Sequence, residues 1–96
     1  MERLRMVKLA DLHQPNFNVI IELSNVVVHP IEQMVKKYGQ YKPLVVCQVE
    51  GKLMIIDGSK LAMILHNLKY EEVLVFDLGV LDLQSYTIIR IMLNLS

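Results

Sequence analysis

The chain has 96 residues, 53% of them hydrophobic, and its ten basic and ten acidic side chains balance to zero. That is enough for one domain with a single core, and no whole-molecule field draws it to nucleic acid. A lone cysteine, Cys47, rules out an internal disulfide framework. The N-terminus MERLRMVK lacks the apolar run of a secretory signal, and no stretch approaches the length needed to span a bilayer, so the expected setting is cytoplasmic, with no membrane partner. The apolar fraction is high for so small a wetted domain. Either a partner covers part of the surface, or residues 1–96 are a single domain cut from a longer chain. Lys36, Lys37, Lys42 and Lys60 cluster in the middle third, whereas Glu71, Glu72, Asp77 and Asp82 follow later.

In chain order, Met6 to Leu12 reads as a first strand, and His13-Gln14-Pro15-Asn16 as a loop. Phe17 to Leu23 fits either a strand or a short helix. Val26 to Val28 is extended by propensity. Pro30 suits the first position of a helix, with Ile31, Met34, Val35 and Tyr38 at helical spacing, Lys36 and Lys37 in its last turn and Gly39 as its terminator. Leu44 to Val49 and Lys52 to Ile56, joined by Glu50-Gly51, form a β-hairpin. Asp57-Gly58-Ser59 breaks the second strand and opens a helix in which Leu61, Ile64, Leu65 and Leu68 share one face. Asp57 and Ser59 are both suited to cap that helix. Val73 to Phe76 is a further strand, Asp77 to Asp82 a loop, and from Asp82 onward a helix apolar nearly all round, of the kind buried on several sides.

The stretch Lys52 to Tyr70 organises the rest. A strand that hands over to a helix N-terminus leaves several N–H groups pointing outward, here with Lys60 beside them, and an anion such as a phosphate can sit there. The same corner is also what a plain capped turn looks like. Other chemistry finds little support. His13, His29 and His66 lack metal-ligand spacing, so no metal site is assigned. Cys47 sits within an alternating apolar strand, as a buried structural cysteine does. Ser59 lacks a Gly-x-Ser-x-Gly context, and Gly58-Ser59-Lys60 is not a P-loop. The four tyrosines do not interleave with basic residues in a stacking pattern. Asp57 is the one acidic residue at a corner where catalysis could occur.

Two segments carry a resemblance. Tyr38-Gly39-Gln40-Tyr41-Lys42-Pro43-Leu44-Val45-Val46, followed by Leu53 to Ile64 with Asp57-Gly58-Ser59-Lys60 at the corner, resembles the ParB/sulfiredoxin-like N-terminal domain. In that family a helix ending in glycine, a strand and a "DGhrR" or "GERR" corner precede a helix. Val73 to Asp77 resembles the family's next strand. Arg90 to Leu95 is similar to the helix bearing its "eN" segment, with Asn94 at the Asn position, and Asn25 to Pro30 is similar to its opening motif.

The resemblance implies an α/β (α+β) fold, a small mixed sheet with three or four short helices. It implies a nucleotide- or phosphate-binding module associated with DNA maintenance, DNA partition or DNA modification, in a bacterium or mobile element. The ligand is expected to be CTP or ATP with Mg. The site would comprise Gly58, Ser59 and Lys60, with Gln40 and Lys42 on the facing loop and Asn94. DNA would be reached through a larger assembly, as a homo-oligomer or with a partner domain through the 82–96 helix. The corner departs from the family: Ser59-Lys60 replaces its two basic residues, and lysine is a point charge rather than a bidentate fork. Ser59 also stands where sulfiredoxin has its catalytic cysteine, so that activity is not expected. Two alternatives stay open. One is a degenerate structural or dimerisation module without nucleotide; the other is a nuclease or nucleotide-dependent kinase using Asp57 as the catalytic group.

Overall fold

The computed structural model describes residues 3–14 and 30–95, with side chains as far as Leu93. Strands β1 (Leu4–Lys8) and β2 (Leu12–His13) flank a 3-10 turn, Leu9–Asp11. Helix α1 occupies residues 30–38. It is followed by β3 (Leu44–Val49), β4 (Lys52–Asp57), α2 (Ser59–Asn67), β5 (Glu72–Val80) and α3 (Leu83–Leu95). The five strands form one mixed sheet in the order β1-β5-β3-β4-β2. β5 and β3 run parallel, as do β4 and β2, while the β1–β5 and β3–β4 pairs are antiparallel. The fold is thus an α/β domain with three helices among the described residues.

Successive strand residues point to opposite faces, and each face has its own core. Val46, Ile55, Val73 and Val75 pack with Leu61, Ile64 and Leu65 of α2 and Val35 of α1. On the other side Cys47, Val49 and Ile56 pack with Tyr86 of α3. The β3–β4 hairpin closes as read from the sequence. Glu50 and Gly51 both take positive φ, 51° and 77°, the pair of conformations that a type I′ turn needs and that matches the twist of the strands.

Four expectations need correction. The first strand is not continuous from Met6 to Leu12. It runs Leu4–Lys8, breaks in the 3-10 turn, and resumes as β2 at the opposite edge of the sheet, so His13 is strand and not loop. Four flat strand spacings are about 19 Å, beyond the roughly 14 Å that four residues can reach; the sheet is therefore curled. Second, β5 does not stop at Phe76 but continues to Val80. Asp77 finds partners inside the sheet, and Gly79, at φ 92°, absorbs the register shift between Val46 and Gln48. Third, neither Asp57 nor Ser59 caps α2. Gly58 is the N-cap, at φ 99°, with no side-chain cap bond, because Asp57 is still paired with Val45 in the hairpin. Fourth, α3 is not buried on several sides. Tyr86 and Arg90 face the sheet, while Leu83, Ile88, Ile91 and Met92 are exposed. An Asp82 carboxylate accepting from the Ser85 N–H at 2.6 Å starts that helix, and the bond holds the Asp82 carboxyl below its ordinary range.

Phe17 to Leu23, Val26 to Val28, His29 and the Asn94 side chain lie outside the described residues. No described helix is long and apolar enough to cross a membrane.

Candidate functional site

The corner between β4 and α2 opens onto a hollow of about 280 Å³. Asp57, Gly58, Ser59 and Lys60 form one side, Tyr41 and Lys42 of the loop before β3 the other, and Arg90 of α3 also lines it. The first bond within the helix runs from the Ala62 N–H to the Gly58 carbonyl, 2.8 Å. The N–H groups of Ser59, Lys60 and Leu61 therefore stand outside the helical ladder. Lys42, Lys60 and Arg90 bring positive charge to the hollow, and among the described residues Asp57 is the one carboxylate in its lining.

Gly58 is required twice over. Its φ of 99° lies where side chains are strained, and a Cβ there would stand 2.8 Å from Cδ2 of Leu44. The glycine lets the corner press against β3, which aims the start of α2 at the 41–42 loop.

Gln40 does not line the hollow. Its amide clasps β5: Oε1 accepts from the Leu74 N–H at 2.8 Å, and Nε2 donates to the Leu74 carbonyl at 2.8 Å and to the Lys42 carbonyl at 3.0 Å. It therefore anchors the loop that carries Tyr41 and Lys42. Gln40→Ala is expected to lower stability by about 1–3 kcal/mol, the range for unpaired backbone groups, with urea titration as the check. A loss below about 0.5 kcal/mol would show that the loop is held by other means.

Arg90 was not anticipated as a site residue. It is 5% exposed. Nη1 donates to the Ile55 carbonyl at 2.7 Å, and Nη2 lies 3.4 Å from Ser59 Oγ. Tyr86, one turn earlier, donates its hydroxyl to the same Ile55 carbonyl at 3.2 Å. Together they tie α3 to the end of β4 just before the corner. The signal was present in the sequence: Arg90 is the sole charge in LQSYTIIRIMLNL, four residues after an aromatic with a polar tip.

A second polar cluster centres on Asp77, which is 2% exposed. Its carboxylate accepts from Arg5 Nη2 and Gln48 Nε2, each at 3.0 Å, and from the Gly79 N–H at 2.8 Å. Burial pushes this carboxyl up, but the Gly79, Arg5 and Gln48 donors outweigh it and hold the carboxyl below its ordinary range. Arg3 adds Nη1 bonds to the Asp77 and Leu78 carbonyls. Every donor here belongs to the fold's own strands or the residue leading into them, so this is a structural clamp. Cys47 is fully buried nearby. Burial, reinforced by the Asp77 charge, raises its thiol to about 11, so it stays protonated at neutral pH and is a poor nucleophile. Among the described residues no group of three or more His, Cys, Asp or Glu side chains could hold a metal ion.

No protein-family model matches the chain, and no curated protein matches it by sequence. Solved structures do. A C-terminally truncated chromosome-partitioning protein ParB from Caulobacter crescentus, complexed with CTP-γ-S, superposes with a TM-score of 0.76 at 15% identity, over 95% of this chain and 52% of that one. A sulfiredoxin from Arabidopsis thaliana gives 0.71 at 14% identity, over 90% of this chain and 94% of that one. A pNOB8-like ParB N-domain gives 0.65 at 20% identity, over 77% of this chain but only 28% of that one.

Proposed function

We propose, for a chain whose fold is that of the ParB/sulfiredoxin-like domains, that the corner hollow binds the phosphates of a nucleotide and that the domain serves a larger DNA-maintenance or DNA-modifying assembly. The observation that carries this reading is the meeting of outward N–H groups at Ser59, Lys60 and Leu61 with the Lys42 and Lys60 side chains around one open hollow. Backbone donors at a helix N-terminus favour negative charge, and two ammonium groups add charge-assisted contacts. A CTP analogue is bound by one protein of the same fold, which makes CTP the first ligand to try, with ATP and Mg beside it. Asn94, one helical turn beyond Arg90, joins the set on the family resemblance. Gln40 contributes by holding the facing loop. DNA is reached through other domains or other copies, joined at α3.

The test is calorimetry of the chain with CTP and ATP, with and without Mg. Binding is expected for at least one, weakened roughly fivefold to tenfold by Lys60→Ala, the effect of about 1–1.4 kcal/mol for one charge-assisted contact. No heat with either nucleotide at millimolar concentration overturns the reading. A second reading, a structural module without nucleotide, draws on Arg90: its guanidinium already lies against Ser59 Oγ at the rim of the hollow. That module would associate but ignore nucleotide. An Asp57-dependent nuclease or kinase would instead show Mg-dependent turnover abolished by Asp57→Asn.

A further inference from the structure

Among the described residues the sheet has two edges, β1 and β2, and they differ. β2 is two residues long and presents little backbone. β1 is five residues long and pairs with β5 without a register shift. The Asp77 N–H donates to the Arg3 carbonyl at 2.7 Å, and the Leu9 N–H to the Glu71 carbonyl at 2.9 Å. Bonded and unbonded pairs alternate in an antiparallel ladder, so Arg5 and Val7 face Val75 and Val73 as bonded pairs. The N–H and C=O groups of Leu4 and Met6, and the N–H of Lys8, therefore point outward, away from β5. Side chains alternate as well. Val7 is buried on the side of α1 and α2, which sets Arg3 and Arg5 on that face and Leu4, Met6 and Lys8 on the other. Leu4 and Met6 are 50% and 55% exposed. The two arginines are drawn back over β5. Arg3 Nη1 donates to the Asp77 and Leu78 carbonyls at 3.3 and 2.9 Å, and Arg5 Nη2 to the Asp77 carboxylate at 3.0 Å.

We infer that the outward edge of β1 takes up an extended segment of another protein as an added antiparallel strand, one in which apolar and acidic side chains alternate. The alternation of the occupant follows from that of β1. Its apolar residues continue the row of Leu4 and Met6 on one face, and its carboxylates meet Arg3 and Arg5 on the other. Residues 3–8 hold three cations and no carboxylate. Arg5 shares its charge with Asp77, and Lys8 stands opposite Glu72, while Arg3 bonds carbonyl oxygens and keeps its charge for a neighbour. In strand addition of this kind main-chain bonds supply affinity and the alternate side chains supply selectivity. Opposite charges on adjoining strands strengthen the pairing. A second copy of β1 is the poorer occupant: it would bring three more cations to the same edge, and like charges across a ladder destabilise it. The inference depends neither on the hollow at the β4–α2 corner nor on association at α3.

The test titrates the full chain with a peptide of about seven residues alternating valine and glutamate, by calorimetry and by site-resolved amide hydrogen exchange. Binding is expected, with exchange slowed at the Leu4, Met6 and Lys8 amides and unchanged at Arg5 and Val7, which already bond to β5. A peptide alternating valine and lysine should bind at least about tenfold more weakly, and added salt should narrow the gap. Met6→Pro removes one outward N–H, a position where an edge strand tolerates proline, and should weaken binding at least about tenfold with the thermal melt little changed. Should that variant unfold, the glutamate peptide N-methylated on alternate amides decides the point on the wild-type chain, and loss of binding is expected. Silence at millimolar peptide overturns the inference. So does binding that leaves the Leu4, Met6 and Lys8 amides unprotected, or equal affinity for the lysine peptide. Protection of those amides that grows with protein concentration in the absence of peptide also overturns it, by making a second copy the occupant.

Discussion

Asp77→Ala is expected to lower the stability of the domain by about 2–4 kcal/mol, a large share of the 5–15 kcal/mol typical of small domains. The substitution strands three donors at once: Arg5 Nη2, Gln48 Nε2 and the Gly79 N–H. The Arg5 side chain is 41% exposed and can recover water, so the figure is set below that of a fully buried ion pair. The other two donors lie between strands β3 and β5 and are harder to rehydrate. Urea titration should show a lower midpoint with an unchanged slope. The acid dependence gives an independent check. The folded-state carboxyl titrates below its unfolded value of about 3.9, so the carboxylate's contribution is fully present above that value and is lost as pH falls through the folded one. Wild-type stability should therefore decline below about pH 4, and Asp77→Asn, which cannot ionise, should show a shallower decline over the same window. A variant that keeps the wild-type midpoint, or a decline identical in Asp77→Asn, would show that the cluster contributes little.

Gly58→Ala is expected to cost about 2–4 kcal/mol as well, from backbone strain at positive φ and overpacking together. Leu44 has no exposed surface, so the atom that meets the new Cβ at 2.8 Å has no solvent to retreat into. Either β3 or the corner must move. If the corner moves, the N–H groups of Ser59, Lys60 and Leu61 turn away from Lys42, and nucleotide affinity should fall at least tenfold even at temperatures where the variant is folded. Thermal melts and calorimetry on the same sample separate the two effects. A variant within about 0.5 kcal/mol of wild type that binds as tightly would show that the corner tolerates a side chain and that its geometry does not set the site.

Local chemistry explains which features were legible from the residues. Glu50-Gly51 between two apolar runs can make few structures other than a hairpin, and the i, i+3, i+4, i+7 spacing from Leu61 identifies the buried face of α2. Pro30 and Gly39 bracket α1. The order of these pieces, with Gly58 at the corner, was enough to place the fold. What stayed hidden depends on partners far apart in the chain. Asp77-Leu78-Gly79 has the composition of a loop and becomes strand because Arg5 and Gln48, 72 and 29 residues away, supply donors to the carboxylate. Met6 to Leu12 has the composition of one strand and is split because its halves pair with opposite edges of a curled sheet. Arg90 reads as one polar residue in an apolar helix until the Ile55 carbonyl is found beneath it. The capping roles given to Asp57 and Ser59 followed propensity, which the hairpin overrode by keeping Asp57 in register with Val45.

Among the described residues β1 has no neighbour in the sheet except β5, and Leu4 meets Phe76 across that ladder. On the ribosome the first strand is therefore made long before the one it pairs with. At about 5–20 residues per second the wait is about 4–14 seconds, during which Leu4 and Met6 are exposed to other nascent chains. Closing so long a loop also slows the final folding step toward milliseconds to seconds. Aggregation during synthesis should thus depend on those two residues more than on any in the hairpin, which can form as soon as it emerges.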